Sequence, residues 1–308
     1  MRSLAIDLLK ILLAIFVVGL HIHFLRDSYP TLSYLLVNGL FRLGVPVFLI
    51  ITGYYFYFID DFSKLKKWLF RIFLLYAVWT IIYIPLWKEG DVVSNIFFGY
   101  HHLWYLNGTL FAGILLYSLR NKKQKLVILL LFLFFLIGYT IQYLGNSHCF
   151  NGEIDEILNY FPVYRNFLFF CFPFLAMGFL IKKYEFDVKR NPSLWLVFIS
   201  VSVVVAEAFA NIYFLKLSKK ESVDILFSLL FACPILFIYF KNLKTKTDAK
   251  ILASISTAIY CIHPLLMFYI YKSENPFILM HSDFIFISSL ILSSLGLVFL
   301  NQKIKYLL

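Results

Sequence analysis

The chain has 308 residues, 61% of them hydrophobic and only 15% charged, which excludes a soluble globular domain and a disordered one. That is the composition of a polytopic membrane protein. The net charge of +11 would suit nucleic acid only if the basic residues shared a face, and they are instead distributed by loop.

Apolar runs long enough to cross a hydrocarbon core of about 30 Å begin near residues 5, 32, 66, 102, 125, 163, 193, 223, 251 and 279. They predict an all-α fold of about ten transmembrane helices that occupies residues 1–308 as a single domain. The basic stretch before the first run is too short for a cleaved signal peptide, so that run reads as a retained span. With the N-terminus inside, the cytoplasmic set is Arg2, Lys64, Lys66, Lys67, Arg71, Arg120, Lys122, Lys123, Lys125, Lys182, Lys183, Lys189, Arg190, Lys241, Lys244, Lys246, Lys250, Lys303 and Lys305. The outer set is Arg26, Lys88, Arg165, Lys216, Lys219, Lys220 and Lys272, while Lys10 and Arg42 fall within spans. Nineteen against seven puts both termini in the cytoplasm by the positive-inside rule, and makes the charge mostly topogenic. Anionic lipid or an anionic cofactor is then the expected partner, not nucleic acid.

The first run, Ala5 to Phe24, carries Asp7, Lys10 and His21 within roughly 60° of one another on a helical wheel, with His23 pointing elsewhere. Lys10 and His21 are about 16 Å apart along the axis. Polar groups along one wall of a membrane helix predict a polar channel inside a bundle. Arg42 lies about ten residues into the second run, roughly 15 Å deep, so it is expected to face a polar cavity or an anion, or to cap carbonyls freed at Gly44-Val45-Pro46. His21, His101, His102, Trp104, Tyr105, Arg165, Asn166, Glu207 and His263 then fall at the outer level of the bundle. Glu207 is expected to orient a histidine or to pair with Arg165. His101 and His102 are adjacent and should diverge on a helix, and no H-E-x-x-H or close carboxylate set is present, so a metal site is not expected. There is no G-x-S-x-G elbow and no Gly-rich phosphate loop. Cys171, Cys233 and Cys261 lie in spans and Cys149 stands alone in a loop, which implies no disulfide framework. The outer loop Gly145 to Phe161 is the one segment large enough for a lid.

Five segments in order resemble acyltransferase family 3, integral membrane enzymes that O-acylate surface polysaccharides. IDLLKILLAIFVVGLH, with Asp7, Lys10 and His21, resembles the opening D-x-x-R-x10-H. RLGVPVFLIITGY, Arg42 to Tyr54, resembles R-x-G-V-P-x-F-F-x-x-S-G-Y. HLWYL, His102 to Leu106, matches H-L-W-[FY]-L. Arg165 and Asn166 with Pro173 and Gly178 resemble R-N-x-x-F-F-x-x-P-x-F-x-x-G, and ISTAIYCIHP, Ile255 to Pro264, resembles S-x-x-x-Y-x-I-H-P. Lys10 replaces the family's arginine and Thr52 its serine.

The resemblance implies an acyl-CoA donor, acetyl-CoA by family precedent, entering from the cytoplasm, and a glycan hydroxyl arriving from the outer face. The envelope glycan would be O-antigen, capsule or exopolysaccharide, and the enzyme would sit in a bacterial inner membrane in contact with its lipid. His21 would be general base or acyl carrier, assisted by Asp7 and Glu207. Lys10, Arg42, Arg165 and Asn166 would bind the donor, and His102, Trp104, Tyr105 and His263 the acceptor. A transporter or flippase of a lipid-linked sugar is the rival expectation, which requires inverted repeats that are not visible here.

Overall fold

The computed structural model describes residues 3–87, 92–219, 221–243, 250–304 and 307–308. Arg2, Lys88, Lys220, Lys244, Lys246 and Lys305, assigned above to a side of the membrane, lie outside the described residues. The described chain is helical, without a strand. Its principal helices are α1 Leu4–His21, α2 Pro30–Val37, α3 Gly44–Phe56, α4 Phe62–Tyr83, α5 Trp104–Leu119, α6 Gln124–Asn146, α7 Phe172–Lys183, α8 Leu194–Tyr213, α9 Leu229–Asn242, α10 Lys250–Tyr271 and α11 Ser282–Lys303.

Each of the ten apolar runs carries a helix, with α2 and α3 sharing the second. Seven segments among the described residues are long and apolar enough to cross a membrane: α1, the combined α2 and α3, α4, α6, α8, α10 and α11. The chain is thus a helical membrane protein. Helices α5, α7 and α9 fall short of the length of a simple span because irregular backbone precedes each. A 3-10 turn, His101–Leu103, leads into α5, and a π-turn, Phe167–Cys171, into α7. An irregular stretch without helix, 222–226, precedes α9.

The large exposed side chains of α4, α8 and α11, among them Phe70, Phe73, Trp195, Phe198, Phe284 and Leu292, suit lipid, whose tails are as apolar as they are. At the centre α3 packs on α7 through two glycines. A Cβ on Gly53 would sit 1.9 Å from the Leu175 carbonyl oxygen, and one on Gly178 would sit 2.0 Å from that of Ile50. The contact is reciprocal, so neither helix can take a side chain there while the other stays in place.

The polar ends of the bundle are distinct. At one, Arg120 donates to the Ile59 carbonyl and Lys183 donates to that of Arg120 at 2.8 Å, while Tyr54 donates to Asp187 at 2.5 Å. At the other, His21, Arg165, Lys219 and Glu221 surround one cavity.

Candidate functional site

Helix α1 ends at His21, short of the expected Phe24, because the chain turns into a left-handed residue at His23 (φ 48°). The buried stripe Ile6, Leu9, Leu13, Val17 faces the core, which brings the His21 ring within 4.4 Å of the His101 ring and 5.2 Å of the His263 ring, centroid to centroid. His102 joins them, 5.2 Å from His263 and 6.1 Å from His101. Four histidines from three parts of the chain therefore share one cluster.

The expectation that His101 and His102 diverge is corrected by the backbone. His101 takes a left-handed φ of 50° and Gly99 a φ of 90°, where a Cβ on Gly99 would lie 2.5 Å from the Trp104 amide nitrogen. A left-handed non-glycine residue costs about 1–2 kcal/mol. Here that conformation turns both adjacent rings toward the cluster, as no helix would. Pro264 lies inside α10, which continues through it while its hydrogen-bond ladder opens locally. The Tyr83 hydroxyl enters that opening, donating to the Cys261 carbonyl at 2.7 Å and accepting from the Leu265 amide at 3.2 Å. His263 is fully buried, and a carbonyl only accepts, so its Nδ1, 3.0 Å from the Ile259 oxygen, carries the proton. Its Nε2 and both ring nitrogens of His102 are buried without a hydrogen-bond partner among the described residues. Buried polar atoms are ordinarily satisfied, so these mark a place for exchangeable protons or a ligand.

Two voids lie near this cluster. The wider, about 980 Å³, is bordered by His21, His101, Trp104, Arg42, Arg165 and Lys219. The narrower, about 230 Å³, is bordered by Lys10, Thr52, Tyr105, Ser256, Thr257 and Tyr260. Val17 borders the narrow void and His21 the wide one, so on α1 they are separated by about one helical turn. Between them, Tyr260 donates to the His102 carbonyl at 2.6 Å, and its ring lies 4.8 Å from that of His102.

Arg42 stands in the 3-10 turn Leu40–Leu43, between α2 and α3. Instead of capping carbonyls at the Gly44-Val45-Pro46 break, its guanidinium is ion-paired with Asp224 and donates to Asn38 at 2.8 Å and Ser222 at 2.6 Å. The Asp224 carboxylate also lies 3.4 Å from Arg165. Nothing in the sequence marks Asp224 or Ser222, since the eighth apolar run was expected to be helical from about residue 223. The segment stays out of helix because side chains take its backbone groups. Asn38 accepts from the Val223 amide at 3.0 Å, Gln142 accepts from the Asp224 and Ile225 amides at 2.7 and 2.8 Å, and Asn146 donates to the Ser222 carbonyl at 3.1 Å. Non-helical backbone at membrane depth is tolerated only when buried in protein and satisfied in this way. The one indirect signal beforehand was two amide side chains in apolar surroundings, Asn38 at the end of α2 and Gln142 within α6.

Other expected site residues are placed differently. Asp7 is 2% exposed and lies 4.0 Å from Lys10, about 21 Å along the helix from His21; a shared stripe gives a shared face, not contact. Glu207 touches neither a histidine nor Arg165. Its carboxylate accepts from the Phe227 and Ser228 amides, both at 2.8 Å, which anchors the start of α9. Asn166 caps the π-turn, accepting from the Leu168 and Phe169 amides at 2.9 Å each. Arg42 and Arg165, grouped with Lys10 in the sequence, border the wide void, whereas Lys10 borders the narrow one. Trp104 and Tyr105, adjacent at the start of α5, face the wide and narrow voids respectively. No group of three or more His, Cys, Asp or Glu among the described residues has metal-site geometry.

The acyltransferase 3 family's acyltransferase domain matches residues 3–300, and the chain belongs to that family. It is 26% identical over 291 residues to an amino-acid racemase of Enterococcus faecalis and 23% identical over 296 residues to a serine/alanine racemase of Enterococcus gallinarum. Each alignment covers 86% of this chain and 41% of the relative, so the chain spans about two fifths of the length of the curated relatives it matches. No solved structure matches it significantly.

Proposed function

We propose that this membrane acyltransferase moves an acetyl group from cytoplasmic acetyl-CoA to a hydroxyl of a bacterial envelope glycan, O-antigen, capsule or exopolysaccharide. The observation that carries this reading is the position of His21, at the floor of the wide void and one helical turn from the narrow one that Lys10 borders. In this reading the protein crosses a bacterial inner membrane about ten times with both termini cytoplasmic. The narrow void admits the pantetheine arm from the Lys10 end, and the wide void admits the acceptor from outside.

The reaction needs a base and an oxyanion partner. His21 takes the proton of the acceptor hydroxyl as its oxygen attacks the thioester carbonyl. The tetrahedral oxyanion is stabilised by Arg165 or by a histidine N–H, the C–S bond breaks, and the proton passes to the departing thiolate. In the covalent variant His21 itself attacks, and the acyl-imidazole then meets the hydroxyl. Trp104 offers a flat face to a sugar ring.

The test is transfer of labelled acetyl from acetyl-CoA by purified protein in nanodiscs, together with the acetyl content of the envelope glycan in cells with and without the gene. Label reaching glycan only with active protein supports the reading; an unchanged glycan and no consumption of acetyl-CoA overturn it. A transporter is the second reading, favoured by the two voids that lie near the cluster. It predicts movement of solute without consumption of acetyl-CoA.

A further inference from the structure

One carboxylate serves two guanidinium groups in the wall of the wide void. Asp224 is ion-paired with Arg42, and its second oxygen is 3.4 Å from Arg165. Among the described residues no other carboxylate touches either arginine. The side chains of Arg42 and Asp224 are 6% and 5% exposed, so their charges are removed from water and barely screened. Arg165 is more open, at 21%, and borders the void. Lys219 borders it too, with its ammonium bonded to the uncharged Thr31 hydroxyl at 2.9 Å. The carboxylates on the same lining are Asp27 and Glu221; Glu221 lies 3.7 Å from His148, and neither forms an ion pair with Arg42 or Arg165 among the described residues.

An unmatched positive charge at membrane depth is costly, and such groups are found where they meet an opposite charge. Arg165 is also held in place by more than Asp224. Its guanidinium lies over the Trp104 and Phe161 rings, 5.1 and 4.5 Å from their centroids. Aromatic faces orient the planar fork without consuming its N–H donors, and that fork matches a carboxylate or phosphate in two-pronged fashion.

We propose that the wide void binds an anionic group of the acceptor, a carboxylate or a phosphate, on Arg165, with Asp224 as the internal carboxylate that tempers the site. The identity of the molecule as acceptor rests on the function proposed above; the anion site does not. An acidic sugar and the phosphate of a lipid carrier both supply this chemistry. Asp224 is in this scheme a positioning residue whose negative charge opposes the ligand, and that gives it an effect of distinctive sign.

The experiment is binding to the full chain in phosphatidylcholine nanodiscs, comparing glucuronate with glucose and farnesyl phosphate with farnesol. The anion of at least one pair is expected to bind at least about tenfold more tightly than its neutral partner, as a charged hydrogen-bonded contact provides, with the advantage shrinking as salt rises. Preference for glucuronate assigns the anion to the sugar, and preference for farnesyl phosphate assigns it to the lipid carrier. Arg165→Gln should abolish the advantage and Arg165→Lys should keep part of it. Asp224→Asn should strengthen anion binding, an effect that simple structural damage does not produce. Equal binding within both pairs, or an anion advantage that survives in Arg165→Gln, overturns the proposal. Acetyl-CoA turnover on the same preparations keeps the two ideas apart: anion binding without acetyl transfer removes the proposed function and leaves this site standing.

Discussion

His21 and His23 are separated by one residue, yet only His21 has its ring in the cluster, because the helix ends between them and His23 is exposed beyond it. His21→Ala is expected to lower acetyl transfer by on the order of 10²–10⁴-fold, the range for a lost general base, with normal membrane levels. His23→Ala should retain most activity, and labelled-acetyl assays on both variants check the difference. Arg42 is less forgiving than its charge suggests. A lysine there keeps the cation but cannot reach Asp224, Asn38 and Ser222 together, and each buried partner left unmade costs about 1–3 kcal/mol. Arg42→Lys should therefore lower the melting temperature in detergent and reduce transfer, by roughly 5- to 150-fold if one such loss acts on the active form. At the loop, His148 donates from Nδ1 to Asp155 at 2.8 Å, with Glu221 3.7 Å away. The hydrogen bond to Asp155, and then its charge, hold the imidazole pKa above its ordinary value. A raised folded-state value means that this contact stabilises fully below the ordinary histidine pKa and is lost as pH rises through the raised one. Hydrogen exchange of residues 147–160 should accelerate over that alkaline step in the wild type, and His148→Gln should flatten the profile.

At the scale of elements, the close crossing of α3 and α7 explains two motif positions without recourse to chemistry. Gly53 and Gly178 are the residues at which each helix presses on the other's backbone. Gly53→Ala or Gly178→Ala must push the helices apart, and overpacking of this kind costs typically about 1–3 kcal/mol, more where backbone has to move. Either substitution should reduce folded yield and thermal stability while leaving the histidine cluster's own residues untouched, as size-exclusion and melting profiles would reveal. The irregular stretch 222–226 is the opposite case, an element whose lack of helix positions side chains. It places Ser222 and Asp224 on Arg42 because Asn38, Gln142 and Asn146 hold its backbone. Gln142→Leu would leave the Asp224 and Ile225 amides unpaired, and is expected to destabilise the protein and to release Arg42 from its carboxylate.

For the whole molecule, the two ends of the bundle carry different chemistry, and orientation decides which substrate meets which void. We propose, from the charge bias, that the loop from Asp60 to Lys67 is inside and Cys149 outside. A cysteine introduced at Ser63, an exposed position, should resist an impermeant thiol reagent added to intact cells, while the exposed native Cys149 should react. Strong labelling at position 63 would reverse the orientation, and with it the assignment of the narrow void to the donor.

Membrane class, helical character and membership of the family were readable from the chain alone, because hydropathy and short motifs are local properties. The histidines His21, His102 and His263 were readable as candidates for the same reason. That these three line the outer half of one cavity follows from their depths on their helices; the entry of the His101 ring among them does not, since it depends on a left-handed bend at His101. The tertiary structure alone decided that Glu207 anchors α9 and that Arg42 answers to Asp224, 182 residues away. Helical periodicity tells which face a residue shares, whereas contact is set by how far along the axis it lies and by what the neighbouring backbone does. Asp224 shows this most plainly: in the sequence it is one acidic residue beside an apolar run, and only burial between two arginines makes it part of a site.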